Sequence, residues 1–220
     1  MIVAGAISTR HFSTLGKVRA VEVTAQGLLL GVGDERLRVD VLRPDLLRLK
    51  ISQGGLFDEE PTFAVVYVPE QSVPFDVERS GEAITLVTEK LRLVIRRDPF
   101  ALAAYRTDGS VVFEDAADEA GNPIGYLHLN DTFVVTRRMG RHDSVYGLGE
   151  KTGAFDRRGR RFVLWNSDVL HPNVLAINRL SESDVGQDGR STTFDPYYSS
   201  TPLFYHCRTD ERPVTVAGFF

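Results

Sequence analysis

Residues 146–168 read YGLGEKTGAFDRRGRRFVLWNSD. Two extended runs, Tyr146–Gly149 and Phe162–Asn166, flank a turn rich in Gly, Lys and Arg, and the stretch closes on Asp168. Glycines at 147 and 149 strip the side chains from one face of an extended segment, so another backbone or a ring can come close. The same spacing also suits a strand that simply runs into a turn. In the second run Phe162, Leu164 and Asn166 share one face, Val163 and Trp165 the other. Asp168 then falls where the strand gives way. A carboxylate there either caps the following turn or accepts hydrogen bonds from neighbouring hydroxyls of a ligand, and the residues alone favour the cap. No glycine-rich loop sits between a strand and a helix, which excludes a nucleotide fingerprint. The run Arg157-Arg158-Gly159-Arg160-Arg161 reads as a solvated hairpin tip, its charge partly offset by Asp156 and Glu150, rather than as a phosphate or acidic-sugar site.

Upstream, period-two alternation dominates. Leu37, Val39 and Val41 alternate with Arg36, Arg38 and Asp40, giving one dry face. Leu47, Leu49 and Ile51 alternate with Arg48 and Lys50 beyond an Arg43-Pro44-Asp45 turn, and Leu91, Leu93 and Ile95 alternate with Arg92 and Arg96. Further strands are predicted near 18–23, 62–68, 82–88, 101–106, 110–114, 126–130 and 132–138, separated by Ser80-Gly81, Asp108-Gly109 and Gly121-Asn122-Pro123. No helical period lasts three turns; Asp115–Ala120, which reads equally as an acidic loop, and Val174–Leu180 are the candidates for short helical turns. Many short strands with one polar face predict an all-β fold, a sandwich of antiparallel sheets with few short helices. Residues 166–200 lack periodicity and read as one long loop, of a kind that compact domains carry for function or leave disordered.

The chain has 220 residues, enough for one large all-β domain, and one domain over 1–220 is expected. At 42% hydrophobic and 25% charged it has an ordinary globular composition, and a net charge of −4 gives no electrostatic reason to expect nucleic acid. The single Cys207 rules out an internal disulfide and suits a reducing, cytoplasmic location. Met1–Ile7 is too short for a membrane span or a signal core, so no membrane partner is expected. His11, His128, His142, His171 and His206 show no metal-ligand spacing, and neither metal nor cofactor is expected. His206 and Cys207, as strand neighbours, face opposite ways and cannot form a nucleophile pair. There is no Gly-x-Ser-x-Gly elbow.

Four ordered blocks remain: Tyr146–Glu150, the basic turn Lys151–Arg161, Trp165–Asp168, and Asp195–Tyr198 followed by Thr201-Pro202-Leu203-Phe204. Together they resemble the N-terminal β-sandwich domain of family 31 glycoside hydrolases, the α-glucosidase and α-xylosidase family. Thr88–Arg97, followed by Pro99-Phe100, is similar more weakly to that family's Thr-x-x-Leu-x-Leu strand. The resemblance implies a galactose-mutarotase-like supersandwich belonging to a retaining, exo-acting α-glycosidase that hydrolyses terminal α-linked sugars. Such enzymes use two carboxylates about 5–5.5 Å apart. In the family both are aspartates on a (β/α)8 barrel, the nucleophile in a Trp-x-Asp-Met-Asn-Glu-like motif. Trp165-Asn166-Ser167-Asp168 shares two letters with that motif and is not it. A barrel needs about 250 residues.

The chain is therefore expected to be an accessory part, inactive alone and without catalytic residues, partnered by a carbohydrate substrate and a C-terminal barrel of the same protein. What the resemblance implies residue by residue is Asp168, as a contact to sugar hydroxyls near the aglycone side. Two features depart from the family pattern: the stretch between Asp168 and Asp195 is longer, and Ser199-Ser200-Thr201-Pro202 lacks the lysine often found there. A stand-alone carbohydrate-binding module, stacking sugars on Trp165, Tyr197 and Tyr198, is the alternative. An aldose-epimerase-like enzyme rests on fold kinship alone.

Overall fold

The computed structural model describes residues 11–57, 72–151, 154–160, 162, 164, 166, 199–209 and 215–219. Within it the chain forms two compact units, one over Thr9–Arg138 and one from Met139 onward.

Among the described residues, the first unit contains three antiparallel sheets. One is a meander of β2 (Val18–Thr24), β3 (Gly27–Val32), β4 (Glu35–Arg43) and β5 (Leu46–Ser52), ending in a 3-10 turn at Gln53–Gly55. The second runs in order through β6 (Asp76–Arg79), β7 (Ala83–Val87), β8 (Leu91–Arg97), β9 (Phe100–Arg106) and β10 (Val111–Glu114). The third pairs β1 (Ser13–Thr14) with β11 (Tyr126–Leu129), and β11 with β12 (Thr132–Val135). In the second unit β13 (Ser144–Gly149), β14 (Ser200–Arg208) and β15 (Thr215–Phe219) form an antiparallel sheet in that order. The fold is all-β, and among the described residues no helix is long and apolar enough to cross a membrane.

Register explains the core of the first unit. Leu28 opposes Val39 and Leu30 opposes Leu37, so these side chains share one face of the meander. Ile84 opposes Ile95, Leu86 opposes Leu93, and Leu93 opposes Ala104 on the second sheet. Each of Leu28, Leu30, Leu37, Val39, Ile84, Leu86, Leu93 and Ile95 has no solvent exposure. Two half-apolar sheets reach that state when each covers the other, as in a sandwich. The Thr88 hydroxyl donates to Pro44 O at 2.6 Å and Phe100 N donates to Gly16 O at 2.7 Å, fastening strand ends across the unit.

The dry face predicted for Leu37, Val39 and Val41 is present, but its opposite face is not simply wet. Asp40 is as buried as its apolar neighbours. Its two oxygens accept from Arg38 Nε at 2.7 Å and Arg48 Nη2 at 2.7 Å, so the charge is matched where it is desolvated. The predicted alternation in β5 is blurred, since Leu46–Ile51 are all half-buried. Asp115–Ala120 is not helical. Asp115 and Ala117 bridge Arg137 and Pro123, and the Asp118 carboxylate collects the N–H groups of Ala120 and Asn122 in an Asx-type turn. Strands β1, β3 and β6 are not predicted from the sequence. The expected strand at 62–68 and helical turn at 174–180 lie outside the described residues.

Gly27 has φ +153, and a Cβ there would stand 2.0 Å from Val39 O, a backbone atom fixed by the central pairing. Gly27→Ala is expected to destabilise the protein by about 2 kcal/mol or more in a denaturant titration, while Gly81→Ala, where a Cβ meets open space, stays near wild type.

Candidate functional site

The Tyr-Gly-x-Gly-Glu block lies on β13, and the close approach its glycines allow is to the backbone of β14. A Cβ at Gly147 would lie 2.6 Å from Leu203 O, and one at Gly149 would lie 2.4 Å from Ser199 O. Pairing slips between Gly147 and Gly149, and φ is positive at Gly147 (+114), Leu148 (+70) and Gly149 (+78). A left-handed leucine costs about 1 kcal/mol, so the pairing on either side imposes it.

Beyond this bulge three motif blocks meet at Ser199 and Ser200. Glu150 N donates to Ser199 O at 2.8 Å. Lys151 Nζ donates to Ser200 Oγ at 2.8 Å. Ser200 N donates to the side-chain Oδ1 of Asn166 at 2.7 Å, bringing that residue of the Trp-Asn-x-Asp block to the same place. The basic turn is built into the unit and is not merely a solvated tip. Arg157 donates to Ala154 O at 2.9 Å and Lys151 O at 3.1 Å, with its guanidinium 5.6 Å from the Phe162 ring centre. Arg158 donates to Asp143 O at 2.8 Å and to Arg141 O. Asp156 accepts from Val145 N and Arg158 N, each at 3.0 Å. Desolvation works to raise its carboxyl, but these bonds and one from Ser144 prevail and hold it below the ordinary range.

Asp143 and His206 form a buried pair, with Oδ2 and Nε2 at 2.8 Å. Gly140 N donates to the same oxygen at 2.7 Å and Thr209 N donates to Oδ1 at 3.2 Å. Burial alone would raise the carboxyl; Gly140, His206 and Thr209 together bring it below its ordinary value. An ionised carboxylate only accepts, so His206 Nε2 carries the hydrogen. Cys207 faces the other way along β14. Burial first, then the charges of Asp156 and Asp143, push its thiol up and away from thiolate. The pair has the look of acid–base machinery but is shut off from solvent, and its partners are structural. Nothing in the sequence signals it, because its members stand 63 positions apart.

Asp168 lies outside the described residues, as do Trp165, Asp195, Pro196, Tyr197 and Tyr198. Among the described residues no group of His, Cys, Asp or Glu is arranged to hold a metal ion.

Residues 36–220 match the glycosyl hydrolase 31 N-terminal galactose mutarotase-like domain. The chain belongs to that family. It is 27% identical over 172 residues to alpha-glucosidase 2 of Bacillus thermoamyloliquefaciens, covering 78% of this chain and 19% of the relative. A Flavobacterium johnsoniae GH31 dextranase complexed with glucose shares the fold with a TM-score of 0.70 at 22% identity, over 89% of this chain and 22% of its own. The cycloalternan-forming enzyme of Listeria monocytogenes, in complex with a pentasaccharide substrate, aligns with a TM-score of 0.59 at 18% identity, over 87% and 17% respectively. The chain thus spans about a fifth of the length of the relatives it matches.

In this GH31 domain the Asp143 cluster gives a pH-dependent contribution with a definite sign. A carboxyl held low in the folded state binds fewer protons than in the unfolded chain, so its contribution is full above its unfolded pKa. It fades as pH falls below about 3.9. Asn at 143 must turn its NH2 toward the N–H of either Gly140 or Thr209. Asp143→Asn is therefore expected to cost about 1–3 kcal/mol at neutral pH. In denaturant melts across pH, the gap to wild type should narrow below that point.

Proposed function

We propose that the chain is the N-terminal accessory domain of a retaining α-glycosidase that hydrolyses terminal α-linked sugars. In this reading its two units act as one domain, and Asp168 contacts sugar hydroxyls in a site whose reacting carboxylates stand on a (β/α)8 barrel of the same protein. The observation that carries the reading is the meeting of the motif blocks at Ser199–Ser200. Asn166, two positions before Asp168, is held by Ser200 N, and Glu150 and Lys151 hold the same two serines. A strand end fixed this way is a suitable base for a carboxylate that must meet a ligand.

Family membership supports the accessory role. The relatives also handle sugars by name: an alpha-glucosidase, a dextranase complexed with glucose, and an enzyme complexed with a pentasaccharide substrate. Their length, about five times the matched part, leaves room for a barrel of about 250 residues. The retaining reaction needs two carboxylates about 5–5.5 Å apart and open to the substrate. The buried acids Asp40, Asp115 and Asp143 are each committed to internal partners, which leaves them unsuited to that work. Asp168 is assigned to binding, not to bond breaking. The lone Cys207 keeps the cytoplasm as the expected compartment.

In the full-length protein, Asp168→Ala is expected to lower kcat/KM at least tenfold, equivalent to ~1.4 kcal/mol of transition-state stabilisation. An unchanged value overturns the assignment of Asp168. The 220 residues alone are expected to release no aglycone from an aryl α-glucoside, and turnover that follows the folded chain through purification would refute the accessory role. Calorimetry with malto-oligosaccharides separates the alternative, since tight binding by these residues alone identifies a stand-alone binding module.

A further inference from the structure

The outer face of the β2–β5 meander carries more positive charge than it neutralises. Arg36, Arg38 and Asp40 alternate there with the core residues Leu37 and Val39, and the register sets Lys50 beside Arg38 and Arg48 beside Asp40. Four cations thus face one carboxylate. The other acid on this face, Glu22, stands beyond Leu29, which separates it from Arg38. We propose that this face binds the phosphate group of a small phosphate monoester, held by Arg36, Arg38 and Lys50. The inference is independent of the glycosidase reading.

Asp40 makes these cations a site rather than a solvated surface. It is 1% exposed and stands between two arginines. Arg38 gives it Nε alone, at 2.7 Å, while Arg48 gives Nε at 3.0 Å and Nη2 at 2.7 Å. Arg38 thereby keeps both terminal nitrogens, the fork that fits an oxyanion, out of the pair. An arginine anchored by one edge to a buried carboxylate has lost its freedom on folding, so a ligand need not order it. Arg36 and Lys50 have no acidic partner among the described residues. Arg36 runs beside the turn after β5, where a Cβ at Gly55 would stand 3.7 Å from its Nε. On the β3 side it is opposed by Gly31, so no side chain rises next to it there.

Charge selects the ligand. Three cations remain once Asp40 is matched, and two when Glu22 is counted. A phosphate monoester carries about −2 near pH 7, whereas a carboxylate carries a single charge. An extended polyanion would also meet the rest of a chain whose net charge is −4, which favours a compact ligand.

Calorimetric titration of the full-length protein with inorganic phosphate at low ionic strength is expected to saturate, with chloride at matched ionic strength giving no such curve. Arg36→Ala and Lys50→Ala, which leave the Asp40 pairs in place, should each raise Kd at least fivefold. Arg38→Lys keeps the charge, loses the fork and should raise Kd at least tenfold. Arg92→Ala, on β8 of the other sheet, should leave Kd unchanged. Glucose 6-phosphate should bind at least tenfold more tightly than glucuronate, the monoanion. Absence of saturation, equal losses at Arg92 and Arg36, or equal binding of the two sugars would overturn the proposal. If Arg38→Lys folds poorly, Arg36→Ala and Lys50→Ala decide the matter, and wild-type affinity in both counts against the site.

Discussion

The second unit depends on backbone lying against backbone where β13 meets β14. Positions 147 and 149 have no room for a Cβ, because carbonyl oxygens of Leu203 and Ser199 occupy the space. Backbone atoms fixed by a strand ladder cannot yield as a flexible side chain would, so the constraint acts on residue type rather than on fit. Its consequence extends beyond the strand pair. The slip in register and the left-handed Leu148 let the chain leave the ladder at Gly149, with Glu150 and Lys151 directed at Ser199 and Ser200. Asn166 joins there. Residues far apart in sequence meet because two glycines let the backbones close.

Buried acids provide the second organising feature, and each is neutralised differently. Asp40 sits between two arginines that remain partly in water, so its burial is matched by two ion pairs at 2.7 Å. Asp115 has Arg137 at 2.6 Å and the N–H of Leu102 at 2.8 Å, yet burial prevails and raises its carboxyl. Gly125 is required beside it, since a Cβ would strike the Asp115 carboxylate. Asp143 is satisfied by two backbone N–H groups and a histidine and is held low. Three converging donors outweigh desolvation at Asp143, whereas at Asp115 desolvation outweighs Arg137, the Leu102 amide and the more distant charge of Arg96. Carboxylates committed in these ways brace loops and strand ends. They have no exposed face to offer a substrate.

Legibility in the sequence tracked how local each cause was. Strands such as β4 and β8 were readable because alternation of Leu, Val and Ile with Arg is a two-residue pattern. β3 was missed because Gly27-Leu28-Leu29-Leu30-Gly31-Val32 is nearly all apolar and lies centrally, with both faces largely covered, so nothing alternates. Asp115–Ala120 reads equally as a helical turn or an acidic loop, and the loop prevails because Asp118 offers its carboxylate to nearby N–H groups. The close approach at Gly147 and Gly149 was legible as a possibility, its partner strand was not. Asp143 with His206 was invisible, since a pairing across 63 positions leaves no periodic trace. The roles of Arg157 and Arg158 were hidden for a similar reason: a basic run looks solvated until the carbonyls it serves are known.

The same logic bears on what an accessory domain can add to a site built elsewhere. A carboxylate meeting a sugar hydroxyl gains only about 1.5–3 kcal/mol from a charged hydrogen bond. That gain disappears if the chain bearing it must be ordered at each encounter, because fixing one residue's backbone costs about 1–2 kcal/mol. A protruding segment is therefore useful in binding only if its ordering is complete before the ligand arrives. The Gly147–Gly149 bulge, the two serines at the head of β14 and the Asn166 carbonyl are joined by hydrogen bonds within the protein, and they rest on a sheet that carries its own buried pair. On the proposed reading, the sandwich serves as the support from which Asp168 meets the sugar.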